Sequence, residues 1–200
     1  MKKSEKKETS EIRLAFFCGN PGREYSKTRH NAGWMLLDEL SKKENLFWQK
    51  KFKGSFARSD NSIGLIYLKP DIFMNLAGEC LSPAVSFFKL APENIIVCHD
   101  DIELDYGTIS AKFGGSCAGH NGLRSIEKML GTRNFHRFRI GISRPSRGDV
   151  SSHVLGRFDK DEEIVLPLYM ELAAAKFVEL FGKTGSEAAV SDGKKINLLP

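Results

Sequence analysis

Residues 12–40 read IRLAFFCGNPGREYSKTRHNAGWMLLDEL, and the fold class follows from how this stretch changes period. Ile12 to Cys18 is a short apolar run closed by Gly-Asn-Pro-Gly, the pattern of a buried strand ending in a tight turn. From Asn31 onward Trp34, Leu36, Leu37 and Leu40 recur at helical spacing, which predicts an amphipathic helix. Strand, turn and helix in succession open an α/β fold if the alternation continues.

Outward from this stretch, it does continue. Phe52 to Ala57 and Ile63 to Leu68 flank the polar run Arg58-Ser59-Asp60-Asn61-Ser62 and read as a hairpin. Leu76, Leu81, Val85, Phe88 and Leu90 predict a second helix, with Pro83 either in its first turns or kinking it. Asn94 to Cys98 is a β-branched run suited to a central strand, ended by the turn signals of DDIELDYG at 100–107. A strand from Thr108 to Phe113 leads into the glycine-rich GGSCAGHNG at 114–122, then a helix from Leu123 to Leu130 and a strand from Phe138 to Ile142. The last helix is expected from about Lys160 to Phe181, with Ile164, Leu168, Leu172, Phe177 and Leu180 on one broad face. The expected architecture is a single α/β domain, a twisted, mostly parallel mixed β-sheet flanked by helices. It would span residues 11–182, between a disordered basic tail at 1–10 and a loosely ordered C-terminal tail at 183–200.

The chain has 200 residues, of which 41% are hydrophobic and 28% charged, enough for one buried core and unlike a disordered or membrane-embedded protein. A formal net charge of +5 favours an anionic partner such as RNA, although on composition alone a solvated basic surface is the better account of it. Cys18, Cys80, Cys98 and Cys117 have neither zinc-site spacing nor the density of a disulfide scaffold, which suits a reducing compartment. The opening MKKSEKKETS precedes only a short apolar run with no cleavage site, and no apolar stretch approaches the roughly 20 residues that span a bilayer. A cytoplasmic protein without membrane contact is expected.

Four segments place hydrogen-bonding side chains at strand ends and glycine-bearing turns, where open α/β sheets build their sites. They are GNPGREYSKTRHNAG at 19–33, KPDIFMNLAG at 69–78, HDDIEL at 99–104, and GGSCAGHNGLRSIEKMLGTRNFHRFRIGI at 114–142. The first lacks the third glycine of a dinucleotide-binding fingerprint. In this order and spacing the segments resemble the bacterial-type peptidyl-tRNA hydrolase family, and the resemblance runs from Ile12 to Phe158.

That resemblance implies hydrolysis of the ester joining a peptide to the 3′-terminal ribose of tRNA, by a monomer that needs no metal or other cofactor and recycles tRNA from prematurely released peptidyl-tRNA. It matches His30, in TRHNAG, to the catalytic base; histidine alone has an unperturbed pKa near neutrality. Asp100 matches the acidic partner that would hold the imidazole in one tautomer. Asn20, Asn75 and Asn121 match site-lining asparagines, Asn75 positioning water or substrate and the other two holding the peptide and the RNA end. Without the resemblance, a turn at Asp100 and caps at His30 and the asparagines would explain these residues. Tyr25 and Met74 match positions that would contact ribose, adenine or peptide, and core packing explains them almost as well. His120, next to Asn121 in GHNGL, is a candidate for substrate contact, and a cap for the helix that follows explains it equally well. Lys112 and Arg139 match a clamp for the tRNA's 5′-terminal phosphate, against a reading as two solvated charges.

The chain also departs from the family pattern. Phe17 and Cys18 stand where Gly-Leu is commoner, Ser116, Cys117 and Ala118 where Gly or His is commoner, and Ser143 where Gly is commoner. Three rival readings carry different chemistry: a cysteine hydrolase using Cys98 or Cys117 with His99 or His120, a metal hydrolase using Cys117, His120 and Asp100 or Asp101, and a non-catalytic RNA-binding relative.

Overall fold

Four parallel strands form the centre of the sheet: β1 (Leu14–Phe17), β4 (Ile66–Pro70), β5 (Ile95–Asp101) and β7 (His136–Gly141). The structure, a computed structural model, describes residues 11–60, 64–182 and 193–199. With β2 (Gln49–Lys51), β3 (Gly54–Arg58), β6 (Thr108–Phe113) and β8 (Lys195–Asn197), the eight-stranded order is β2-β3-β4-β1-β5-β7-β6-β8. Only β3 and β6 run against the other six. The mostly parallel mixed sheet expected from the sequence is therefore the one observed.

Every residue of β1 is buried, as a strand covered on both faces requires. Successive residues point to opposite faces. Phe17 packs with Tyr67, Phe138 and Phe177 beneath α1 (Ala32–Ser41) and α5 (Lys160–Phe181), and Phe16 packs with Leu68 and Val97 beneath α2 (Ala77–Phe88) and α3 (Asn121–Leu130). Pro83 lies within the second turn of α2.

Three expectations change in the structure. First, β5 continues past Cys98 to Asp101 because Asp100 and Asp101 pair in register with Ile140 and Gly141, so the expected turn begins later. Second, the buried face of α5 is Tyr169, Met170, Ala173, Ala174, Phe177 and Phe181, whereas Ile164 and Leu168 are exposed. Tyr169 sets this rotation: its hydroxyl donates to the carbonyls of Thr108 and Gly141 across the end of the sheet. Third, the short elements β2, α4 (Val150–Leu155) and β8 were not anticipated. β8, from the stretch expected to be a tail, pairs antiparallel with β6. Residues 61–63 of the expected hairpin, the expected tail at 1–10, and 183–192 and 200 lie outside the described residues. Among those described, no helix is long and apolar enough to cross a membrane.

Candidate active site

The parallel strands deliver their carboxyl ends to one edge of the sheet. β1 and β5 are neighbours, and the chain leaves β1 toward the β4 side and β5 toward the β7 side, so their outgoing connections part and open a crevice, the usual place for a site in such a sheet. A cavity of about 720 Å³ occupies that edge. It is lined by Asn20 after β1, Met74 and Asn75 after β4, Asp100 on β5, His30, and His120 and Asn121 at the start of α3. Lys112 and Arg139 reach it from β6 and β7. Tyr25 is not part of the lining and packs edge-on against Phe73, 6.1 Å between ring centroids.

His30 sits in a 3₁₀ turn, Arg29–Asn31, that leads directly into α1. Gly33 lets this segment approach the sheet: a Cβ there would lie 2.5 Å from the Cys18 carbonyl oxygen and 2.8 Å from that of Cys98. His30 Nδ1 is 2.9 and 3.0 Å from the two carboxylate oxygens of Asp100. His120 Nε2 is 3.1 Å from Asp100 Oδ1, and its Nδ1 accepts from the Leu123 N–H at 3.3 Å as the N-cap of α3. The cap places the His120 proton on Nε2, donating to Asp100. The carboxylate likewise takes the His30 proton on Nδ1, leaving Nε2 of His30 with a free lone pair.

The electrostatics follow from burial against charge. Burial alone would pull the His30 pKa down, but the charge of Asp100 and its hydrogen bond outweigh this and hold it above the usual histidine value. Burial opposes ionisation of Asp100, yet His30 and His120 together keep its carboxyl well below the usual carboxylate range. His99, deeply buried beside His120, is pushed down to about 3 by burial and then by His120. It is therefore neutral near pH 7 and donates from Nδ1 to the Asp100 carbonyl at 2.7 Å.

Asn20 is fixed from three sides. Its N–H donates to Asn31 Oδ1 at 2.8 Å, its carbonyl accepts from Asn31 Nδ2 at 3.0 Å, and its Oδ1 accepts from the Met74 N–H at 2.8 Å. The amide NH₂ is the end left for the cavity. Asn75 and Asn121 are exposed on the cavity wall. Asn31 and Arg29 were not singled out in the sequence. The Arg29 guanidinium donates to the Arg157 carbonyl and to Glu162 at 2.6 Å, and lies over the Phe158 ring, anchoring the turn to the start of α5. The position of Asn31 beside His30 was the one available signal for it; a buried arginine gave none.

Lys112 and Arg139 do converge. Lys112 is paired with Arg137 across β6 and β7, and Arg139 lies two residues further along on the same face. Arg139 Nε donates to Asp101 Oδ2 at 2.7 Å. Burial, then the charges of Arg139 and Arg137, lower the Lys112 pKa. Arg137, also missed, donates to the carbonyls of Ser116 and Gly115 at 2.6 and 2.7 Å and so shapes the glycine-rich loop. Asp101 offsets one of the three cations on this wall, and a further anion placed among them relieves the repulsion that remains.

The departures from the family pattern fall in different local settings. Ala118 (φ 44°) and Ser143 (φ 57°) occupy the left-handed region, where glycine is unstrained. Ser143 Oγ accepts from the Tyr106 N–H at 2.8 Å. Phe17 and Cys18 are fully buried on opposite sides of the sheet. Burial, and then Asp100 at Cys18 and Cys18 at Cys98, push those two thiols up, while burial and then Glu127 raise Cys117. Thiols held protonated in this way are poor nucleophiles.

His30, Asp100 and His120 also have the donor types of a transition-metal site, with their ligand atoms within 4.8 Å of one another. A metal on His120 Nε2 would move that ring's proton to Nδ1, against the Leu123 N–H that Nδ1 now accepts. The donor set therefore fits a hydrogen-bonded carboxylate better than a metal.

Comparison with known proteins shows the family of the whole chain. A family model described as peptidyl-tRNA hydrolase matches residues 14–198. A peptidyl-tRNA hydrolase of Caldanaerobacter subterraneus subsp. tengcongensis is 44% identical over 175 residues, 86% of this chain and 94% of the relative. One from Geotalea daltonii is 41% identical over 182 residues, 90% and 95% of the two chains. The crystal structure of peptidyl-tRNA hydrolase from Acinetobacter baumannii superimposes with a TM-score of 0.80 at 34% identity, covering 92% of this chain and 97% of that one.

Proposed function

Since the chain belongs to the peptidyl-tRNA hydrolase family, we propose that it is a carboxylic ester hydrolase that cleaves the bond between a peptide and the 3′-terminal ribose of tRNA, with His30 as the base. The observation that carries this reading is the buried His30–Asp100 contact at 2.9 Å within the cavity.

His30 Nε2 takes a proton from water as the water oxygen attacks the ester carbonyl. Asp100 holds the ring in the tautomer that leaves Nε2 basic and stabilises the imidazolium that forms. Collapse of the tetrahedral intermediate breaks the bond to the ribose oxygen, which takes the proton back from His30. The products are a free peptide carboxyl and a tRNA with a free terminal hydroxyl. General base catalysis of this kind contributes roughly 10²–10⁴-fold.

Amide NH₂ groups donate to a developing oxyanion without adding charge to a neutral ester site. In this reading Asn75 positions water or substrate, and Asn20 and Asn121 hold the peptide and the 3′-terminal end of the RNA. Met74 gives the site an apolar floor, and Tyr25 acts through Phe73, whose exposed ring lines the cavity. Lys112 and Arg139 would receive the 5′-terminal phosphate, which distinguishes tRNA from a free peptide ester. The enzyme acts as a cytoplasmic monomer that returns tRNA to translation.

The test follows release of labelled N-acetyl-aminoacyl groups from tRNA by the purified protein in chelator, beside the same tRNA carrying an unblocked amino acid. Fast release of the blocked substrate and slow release of the unblocked one is expected. A folded protein that binds tRNA and releases neither would overturn the proposal in favour of an RNA-binding relative. Loss of release in chelator, restored by a divalent metal, would move the chemistry to a metal-bound water.

A further inference from the structure

The carboxylate of Asp100 does not serve His30 alone. Its Oδ1 accepts from His30 Nδ1 at 2.9 Å and is 3.1 Å from His120 Nε2, and the two imidazole centroids are 4.9 Å apart. His120 has no hydrogen-bonding nitrogen left for a substrate, because its Nδ1 accepts the Leu123 N–H at the start of α3. Its ring is backed edge-on by His99, 5.1 Å away.

We infer that His120 is a positioning residue for the His30–Asp100 pair, one that ties the N-terminus of α3 to the shared carboxylate and divides that carboxylate's hydrogen bonding between two imidazoles. The inference rests on the hydrolytic reading of His30 and Asp100, but its geometry is independent of any substrate. With two donors on Oδ1 and a further contact from His30 to Oδ2 at 3.0 Å, the carboxylate has one orientation. Sharing it also limits how tightly it holds a proton on His30. A base must give that proton up to work near neutrality.

The other ionisable groups around the pair come from every neighbouring strand. They are His99 and Asp101 on β5, Lys112 on β6, Arg137 and Arg139 on β7, and Cys18 after β1. His99 is neutral at pH 7, and the hydrogen bond from Arg139 offsets the burial of Asp101 and keeps it ionised.

Two substitutions separate the two halves of the His120 contact. In His120→Asn the shorter amide reaches the position of Nδ1 and preserves the α3 cap, but it loses Asp100. In His120→Gln the longer amide reaches the position of Nε2 and preserves the donor to Asp100, but it loses the cap. The measurement is the titration midpoint of the His30 imidazole by NMR in free wild type and both variants, with Tm recorded for each. His120→Asn should raise the His30 midpoint by a few tenths to about one unit and lower Tm through the lost contact to Asp100, and the acid limb of kcat/KM should move up with the midpoint. His120→Gln should keep the wild-type midpoint and lower Tm. An unchanged midpoint in His120→Asn, or equal shifts in both variants, would overturn the inference. Because the NMR titration needs no turnover, absence of hydrolysis by the wild type would sink the hydrolase reading and leave this comparison still decisive.

Discussion

At the scale of single residues, the account turns on which groups carry protons. The His30 pKa is raised because Asp100 outweighs burial, so activity should fall as pH drops through that raised value and His30 becomes charged. Asp100→Asn removes the raising influence and leaves burial, which lowers it. The acid limb of kcat/KM should therefore move to lower pH, while kcat above the limb falls by roughly 10²–10⁴-fold as the imidazolium loses its counter-charge. A pH profile of the variant checks both directions, and a limb that stays put would show that some other group titrates there. Backbone strain gives a second residue-scale prediction. Ala118→Gly removes a left-handed Cβ without removing any side-chain hydrogen bond and should stabilise the fold by up to about 1 kcal/mol in urea denaturation. Ser143→Gly relieves the same kind of strain but strips the Tyr106 N–H of its acceptor, so its gain should be smaller or reversed.

At the scale of elements, the site depends on how closely the turn carrying His30 approaches the sheet. Gly33→Ala would set a Cβ against two backbone carbonyls that cannot swing aside. It should destabilise by roughly 1–3 kcal/mol and, by shifting the turn three residues upstream, depress kcat more than tRNA binding. Single-turnover rates beside tRNA affinity separate these effects; a kcat equal to wild type would show that the turn tolerates the shift. Elements whose periodicity is long or strongly apolar, such as β1, α1 and α5, were legible in the sequence. The three-residue strands β2 and β8 and the six-residue α4 are too short to show a period. The extension of β5 through Asp101 was hidden because two aspartates signal a turn until β7 is known to pair with them. The rotation of α5 depended on Tyr169 finding carbonyls far away in sequence. The same cause hid Arg29, Asn31 and Arg137, whose partners include main-chain groups of other segments. That His30, Asp100 and the asparagines share one cavity was legible through motif order, and the placing of Lys112 and Arg139 on one face needed the β6–β7 register.

At the scale of the whole molecule, the cavity has a cationic wall on β6 and β7 and the His30–Asp100 pair at the carboxyl ends of the central strands. If that wall receives a terminal phosphate, Lys112→Ala should raise KM for 5′-phosphorylated tRNA and reduce the salt dependence of log KM by roughly 0.7–0.9. KM for dephosphorylated tRNA should scarcely respond, and equal losses on both substrates would assign Lys112 elsewhere. The central claim, that His30 activates the water, is tested most directly by the single-turnover release rate of N-acetyl-aminoacyl-tRNA for wild type and His30→Ala, in chelator, with tRNA affinity measured on the same samples. Affinity close to wild type with a rate lower by roughly 10²–10⁴-fold is the predicted result. A variant that binds and releases as fast as wild type would contradict it.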